Sequence, residues 1–319
     1  MHHLFTTDAL SVLIAAFGIG IIVGLTGMGG GALMTPALIF LGINPAAAVA
    51  NDLVAAGVNK SIGAAVHWRK GSPNLRLASL LMIGSVPMGL AGGFIVNEIG
   101  KKHAHVNFLK DAIGWALLLA ACSYALRIYL QLRHVQQGNV TDAVDPRVRT
   151  VPTILVGAVG GLLVGITSVG SGSLIMVALL LLYPRMSAKR LVGTDLVQAV
   201  PLVIAAAVGH VLNTGVTWHI LIPLIVGGTP GTFIGAKMSS WVNQNVIRGG
   251  IIVVLTLTGL SMLGVPPREI GFLGAGLLLL GPLLWGWIRQ RRGLPAFDNN
   301  SAAWRVVEPE DEPGSRLPG

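Results

Sequence analysis

The chain has 319 residues, of which 53% are hydrophobic and only 11% are Asp, Glu, Lys or Arg. Soluble domains carry roughly 25% charge, so a water-exposed globular surface is excluded, and with it soluble enzymes, disulfide scaffolds and nucleic-acid binders. A mean hydropathy of +0.72 describes a polytopic membrane protein, and the net charge of +9 reflects Lys and Arg held in cytoplasmic loops.

Apolar stretches bounded by polar or turn residues predict eleven segments, at 8–27, 32–43, 46–68, 75–97, 108–132, 151–169, 173–184, 187–211, 217–240, 247–264 and 270–288. Strand-type alternation is absent, so these read as helices rather than barrel strands. The first has no basic flank or A-x-A site and reads as a retained membrane segment, not a cleaved signal. Segments 32–43 and 173–184 each follow a Gly/Ser-rich break. Each reaches about 18 Å, short of a hydrocarbon core of about 30 Å. They read as halves of re-entrant or broken helical hairpins with tips near mid-membrane. Cys122, the single cysteine, reads as a buried packing residue. Residues 133–150 form a polar linker. Residues 289–319 hold ten of the 35 charges, end in EPEDEPGSRLPG and read as a disordered cytoplasmic tail.

Lys and Arg set the orientation. With the C-terminus inside, inward loops hold fourteen, among them Arg69, Arg76, Arg149, Arg190 and Arg291, against four outside (Lys101, Lys102, Lys110 and Arg268). That bias places the N-terminus in the periplasm and the C-terminus in the cytoplasm of an inner-membrane protein. Trp68, Trp218, Trp241 and Trp285, near segment ends, read as interface anchors.

The two halves repeat. At an offset of 141, residues 24–33 match 165–174 at five of ten positions; at 143, residues 52–92 match 195–235 at ten of 41, including Asp52/Asp195, His67/His210 and Pro87/Pro230. Equivalent loops carry opposite charge: 69–76 is basic and 212–219 is not, whereas 42–47 is uncharged and 183–190 basic. The expected architecture is therefore an all-α membrane protein of two inverted-topology repeats, 1–132 and 151–265, joined by the linker. Residues 266–288 add a C-terminal transmembrane helix. Secondary carriers use this plan, with the site between the halves.

Gly27-Met-Gly-Gly-Gly-Ala-Leu-Met-Thr-Pro36, Asn51-Asp-Leu53 and His67-Trp-Arg-Lys-Gly71 resemble the TauE/SafE sulfite exporter family, also called the toluene sulfonate uptake permeases and formerly a domain of unknown function. The likeness runs over about residues 10–265, with the second glycine motif, Ser168–Ser173, the looser of the two. The resemblance implies transport of small sulfur-containing or organic anions such as sulfite, sulfonates and sulfoacetate.

Gly29, Gly30 and Gly31 cannot be comfortable helix, because each Gly costs about 1 kcal/mol relative to Ala. They and Gly170, Ser171, Gly172 and Ser173 form two tips whose free N–H groups and positive helix ends could face an anion. The alternative, close packing through small residues, fits Gly18, Gly24, Gly157 and Gly165. Thr26, Thr167, Asn51, Asn59, Lys60, Thr194 and Gln198 complete the candidate substrate-binding set. Lys60 has no counterpart, being Val203 in the other half. Asp52 and Asp195, two of eight acids before the tail, lie inside helices, where charge is costly. They either cap the tips by accepting N–H bonds or carry protons. His67 and His210 are interfacial structural residues or gates.

The composite reading is a carrier of small oxyanions or organosulfonates, proton-coupled and working by alternating access, not an enzyme. It requires the lipid bilayer and protons as partners, no nucleic acid, no metal and no organic cofactor, with a homodimer left open. A passive anion channel is the rival. A Ser171–His210 hydrolase dyad is remote, because the counterpart of Ser171 is Gly30.

Overall fold

The computed structural model describes residues 7–26, 30–69, 73–101, 106–137, 148–170, 172–184, 186, 188–238 and 244–291. Among them the chain forms eleven helices and no strand: α1 (Thr7–Thr26), α2 (Gly31–Phe40), α3 (Pro45–Arg69), α4 (Leu75–Lys101), α5 (Val106–Gln137), α6 (Thr150–Thr167), α7 (Leu174–Leu182), α8 (Ala188–Thr214), α9 (Trp218–Met238), α10 (Gln244–Met262) and α11 (Pro267–Gln290). Each falls on one of the apolar stretches. Helix α5 continues five residues past the expected end at 132, into what the composition marks as linker. The tail, from residue 292, and residues 138–147 of the linker lie outside the described residues.

Local chemistry sets the helix ends. Asn44 precedes Pro45 at the start of α3, and its Oδ1 accepts from Ala46 N at 3.0 Å; a side-chain acceptor followed by proline is a strong helix start. Asn74 does the same for α4, accepting from Leu77 N at 3.0 Å. Helix α2 stops at Gly42, whose φ of 86° needs glycine. There Ile43 N reaches back to Leu38 O, satisfying a terminal carbonyl.

Among the described residues, six helices, α4, α5, α6, α8, α9 and α11, are long and apolar enough to cross a membrane. Helix α3 has the length but not the apolarity, because Asn51, Asp52, Asn59 and Lys60 interrupt it. The two short helices, α2 with ten residues and α7 with nine, span about 14–15 Å each, half a bilayer core.

Helix α1 packs along α9 and α4 along α6, while α3 meets α8, α5 meets α10, and α11 leans on α10. The first two contacts are glycine seams in which a Cβ would strike a facing backbone carbonyl. Gly20 faces Gly228 and Gly24 faces Thr232; Gly161 faces Ser85 and Gly165 faces Gly89. The seams correspond residue by residue at offsets of 141 and 143. Backbones approach this closely only where side chains vanish, and van der Waals contact, rather than apolar burial, drives such packing in lipid. Gly157 packs against Leu81 as expected, but Gly18 does not: nothing lies within 4 Å of where its Cβ would be. Gly20, one helical turn's fraction away, takes the seam.

The core is aliphatic, centred on Leu53, Leu81, Leu117, Leu179 and Leu202, with a smaller cluster of Val12, Met34, Leu38 and Leu224 under α1 and α9. Outward faces are equally apolar: Leu278, Leu279 and Leu280 on α11 are 61–71% exposed, as lipid-facing positions are. Cys122 also lies on an exposed face, of α5. Its buried role is thereby corrected, since an apolar neighbourhood in sequence fits the lipid side as well as the core. Trp218 is exposed at the start of α9; the side chains of Trp68 and Trp285 and all of Trp241 lie outside the described residues.

Candidate functional site

The second glycine break is built around Ser168. Helix α6 ends there because Ser168 adopts a left-handed conformation, φ 60°. The break frees two groups that a continuing helix would pair. Val169 N turns to Thr167 Oγ1 at 3.1 Å, and Gly165 O accepts from His210 Nε2 at 2.7 Å. His210 is fully buried and its Nδ1 finds no partner among the described residues. Gly170, at φ 117°, carries the chain into α7, where its carbonyl accepts from Ser173 N and Leu174 N. Gly172 is half-buried and Ser173 buried.

The first break meets the second. A Cβ on Gly31 would run into the Ser168 carbonyl, so the backbones of the two breaks touch, whereas Gly30 borders open space. Helix α2 starts at Gly31 without a side-chain cap, leaving its first N–H groups to be satisfied otherwise. Gly29, Ser171 and the side chains of Thr26 and His67 lie outside the described residues.

Asp52 on α3 sits beside this junction, 2% exposed. Its Oδ2 accepts from Thr35 Oγ1 on α2 at 2.6 Å and from Ser168 Oγ at 2.8 Å. Among the described residues these donors are hydroxyls, and they make a side-chain clasp joining α2, α3 and the second break. Thr35 and Ser168 escaped the candidate set. Ser168 occupies the position of Gly27 and opens the looser of the two glycine motifs; Thr35, one hydroxyl in an apolar helix, carries no signal until Asp52 is seen opposite. Asp195 on α8 accepts from Gln198 Nε2 at 3.0 Å, and Gln198 Oε1 accepts from Ser85 Oγ of α4 at 3.2 Å. Lys60 lies within electrostatic reach of both Asp52 and Asp195, and Arg127 of α5 reaches Asp195. The junction thus gathers two carboxylates, one lysine and several hydroxyls inside an apolar bundle.

Other candidates tie helices together. Asn51 Oδ1 accepts from Thr217 N at the start of α9 (3.2 Å), and Thr194 Oγ1 accepts from Asn74 N at the start of α4 (2.9 Å). Both pairs are related by the offset of 143. Asn59 Oδ1 accepts from Thr229 Oγ1 of α9 at 2.8 Å. No group of three or more His, Cys, Asp or Glu among the described residues could hold a metal ion.

An all-helical bundle with membrane-length helices and buried charge at two helix breaks is the build of a membrane transporter. Residues 12–262 match the family model of the sulfite exporter TauE/SafE, and the chain belongs to that family. It is 35% identical over 256 residues, 80% of this chain and all of the relative, to the probable membrane transporter protein YjnA of Bacillus subtilis (strain 168). It is also similar to the probable membrane transporter protein YdhB of that organism (23% identical; 79% of this chain, 99% of the relative). A third relative is the probable membrane transporter protein MJ0441 of Methanocaldococcus jannaschii (26% identical; 80% and 92%). No solved structure matches the chain.

Proposed function

We propose that this chain is a secondary carrier of small oxyanions or organosulfonates, of the sulfite, sulfonate and sulfoacetate class, in the inner membrane. The observation that carries the reading is the contact of the two helix breaks, Gly31 against Ser168, beside Lys60, Asp52 and Asp195. Two short helices without side-chain caps begin at these breaks; their positive ends would favour an anion there, with Lys60 as the nearby basic group. Gly30 borders open space from which an anion could approach, and Gly170, Gly172 and Ser173 complete the second side of the proposed site.

In this reading 1–132 and 151–265 are inverted repeats that rock against each other, with the N-terminus outside and the C-terminus inside. The paired glycine seams, the equivalent Asn51–Thr217 and Thr194–Asn74 bonds and the opposite loop charges support it. Asp52 and Asp195 would couple transport to protons: an anion entering beside two ionised carboxylates is repelled, and protonation removes the repulsion. Thr26, Gly29, Ser171 and His67 belong to the same proposal.

The test is flux of sulfite, sulfoacetate and alkyl sulfonates in proteoliposomes across an imposed pH gradient. A carrier saturates with substrate and follows the gradient, and Asp52→Asn or Asp195→Asn abolishes proton-driven flux. Non-saturating flux indifferent to the gradient would make the protein a passive anion channel instead.

A further inference from the structure

We infer that Asp52 is a tethered stand-in for the transported anion: in the empty carrier its carboxylate holds the hydroxyl donors that the substrate takes over, and the substrate binds by displacing it. This rests on the carrier reading above and specifies how its site is kept when empty.

A hydroxyl has one proton to donate, so Thr35 and Ser168 can each serve one anionic oxygen at a time. Both now serve Asp52 Oδ2. A sulfite, sulfonate or carboxylate oxygen makes the same demand: several donors and a nearby cation in an apolar surrounding. Asp52 has all of these, with Lys60 as the cation. The donors come from α2 and from the break after α6, the two elements that meet at Gly31 and Ser168. Open space begins at Gly30, next to them. An arriving anion therefore finds its ligands adjacent but occupied, and it would face the repulsion of the carboxylate occupying them. Asp195 is dressed differently. Among the described residues its side-chain donor is Gln198, one turn along its own helix, and not Thr35 or Ser168.

The rival is that Asp52 is a strut whose only duty is to hold the second break against α2. The two readings differ in sign. Removing a competitor frees donors for the substrate; removing a strut loosens them. Purified wild type, Asp52→Ala and Asp52→Asn would be titrated calorimetrically with sulfite, sulfoacetate, methanesulfonate, acetate and formate. Displacement predicts that Asp52→Ala binds the wild-type ligand at least tenfold more tightly while its flux in proteoliposomes collapses. It also predicts a formate- or acetate-dependent rise in melting temperature that wild type lacks, the free carboxylate refilling the vacated place. Thr35→Val or Ser168→Ala, placed in the Asp52→Ala background, should then weaken anion binding severalfold, because the donors act on the anion directly. A strut predicts equal or weaker binding in Asp52→Ala and no further effect of losing the hydroxyls, and that result overturns the inference. Should Asp52→Ala fail to fold, the isosteric Asp52→Asn decides: tighter binding than wild type supports displacement, equal or weaker binding overturns it. If neither wild type nor any variant binds an anion of the panel, the carrier reading itself fails; if wild type binds and no variant gains, only the stand-in falls.

Discussion

At the scale of single residues, adjacent glycines of the first break should behave as opposites. Gly31 abuts the Ser168 carbonyl, whereas Gly30 has nothing within 4 Å. Gly31→Ala must push the two breaks apart and should lower the melting temperature and abolish anion-dependent stabilisation. Gly30→Ala should fold like wild type, and anion titration of the two variants by thermal shift separates them. His210 gives a second residue-scale prediction. Its ring holds the Gly165 carbonyl that the break leaves over, so His210→Leu strands a buried acceptor and should cost about 1–3 kcal/mol. His210→Gln retains a donor and should recover part of that loss in unfolding titrations. Cys122, facing outward on α5, should be replaceable by Ala within about 0.5 kcal/mol, which supplies a cysteine-free background for labelling.

At the scale of elements, the matching bonds Asn51–Thr217 and Thr194–Asn74 each tie a long helix of one half to the first residues of a helix in the other. Loss of either, in Asn51→Ala or Thr194→Ala, should cost about 0.5–1.5 kcal/mol. If the halves rock, the two losses should bias the carrier toward opposite faces. Accessibility of a single engineered cysteine near Thr217 or Asn74 to an impermeant maleimide, in the Cys122→Ala background, reads the bias; identical shifts in both variants would argue against rocking. The helices themselves were legible because in lipid every backbone group must bond within its segment, so apolar length and glycine breaks nearly dictate element boundaries. Partnership across halves was not. The repeat points to Asp52 and Asp195 as a pair, yet their partners differ, because the hydroxyl positions Thr35 and Ser168 were not duplicated. Asn51 and Thr194 show the same limit: polarity inside a membrane helix marks a buried contact without saying whether the partner is substrate or backbone.

At the scale of the molecule, the family match ends at residue 262, before α11 begins, and α11 rests on α10 with only 6% of its membrane window buried. A chain ending at Gly264 should therefore insert and keep wild-type anion affinity, measured calorimetrically in detergent. Loss of binding would mean that α11 reaches the site through α10. The charged junction lies among helices of both halves, so no single half presents Thr35, Asp52, Ser168 and Asp195 together. Each half expressed alone should bind no anion, while co-expressed halves should recover the binding.

Ser168 leaves a last consequence. A non-glycine residue in the left-handed region carries an energetic penalty of about 1–2 kcal/mol, and the equivalent place in the first half is glycine. Ser168→Gly would remove that penalty together with the hydroxyl that clasps Asp52. A hydrogen bond to a carboxylate is worth about 1.5–3 kcal/mol, so the two effects nearly offset, and Ser168→Gly should lose transport with little change in melting temperature. On the carrier reading proposed above, the serine is a place where durability is traded for work, as happens where activity depends on a conformation the backbone would not choose by itself.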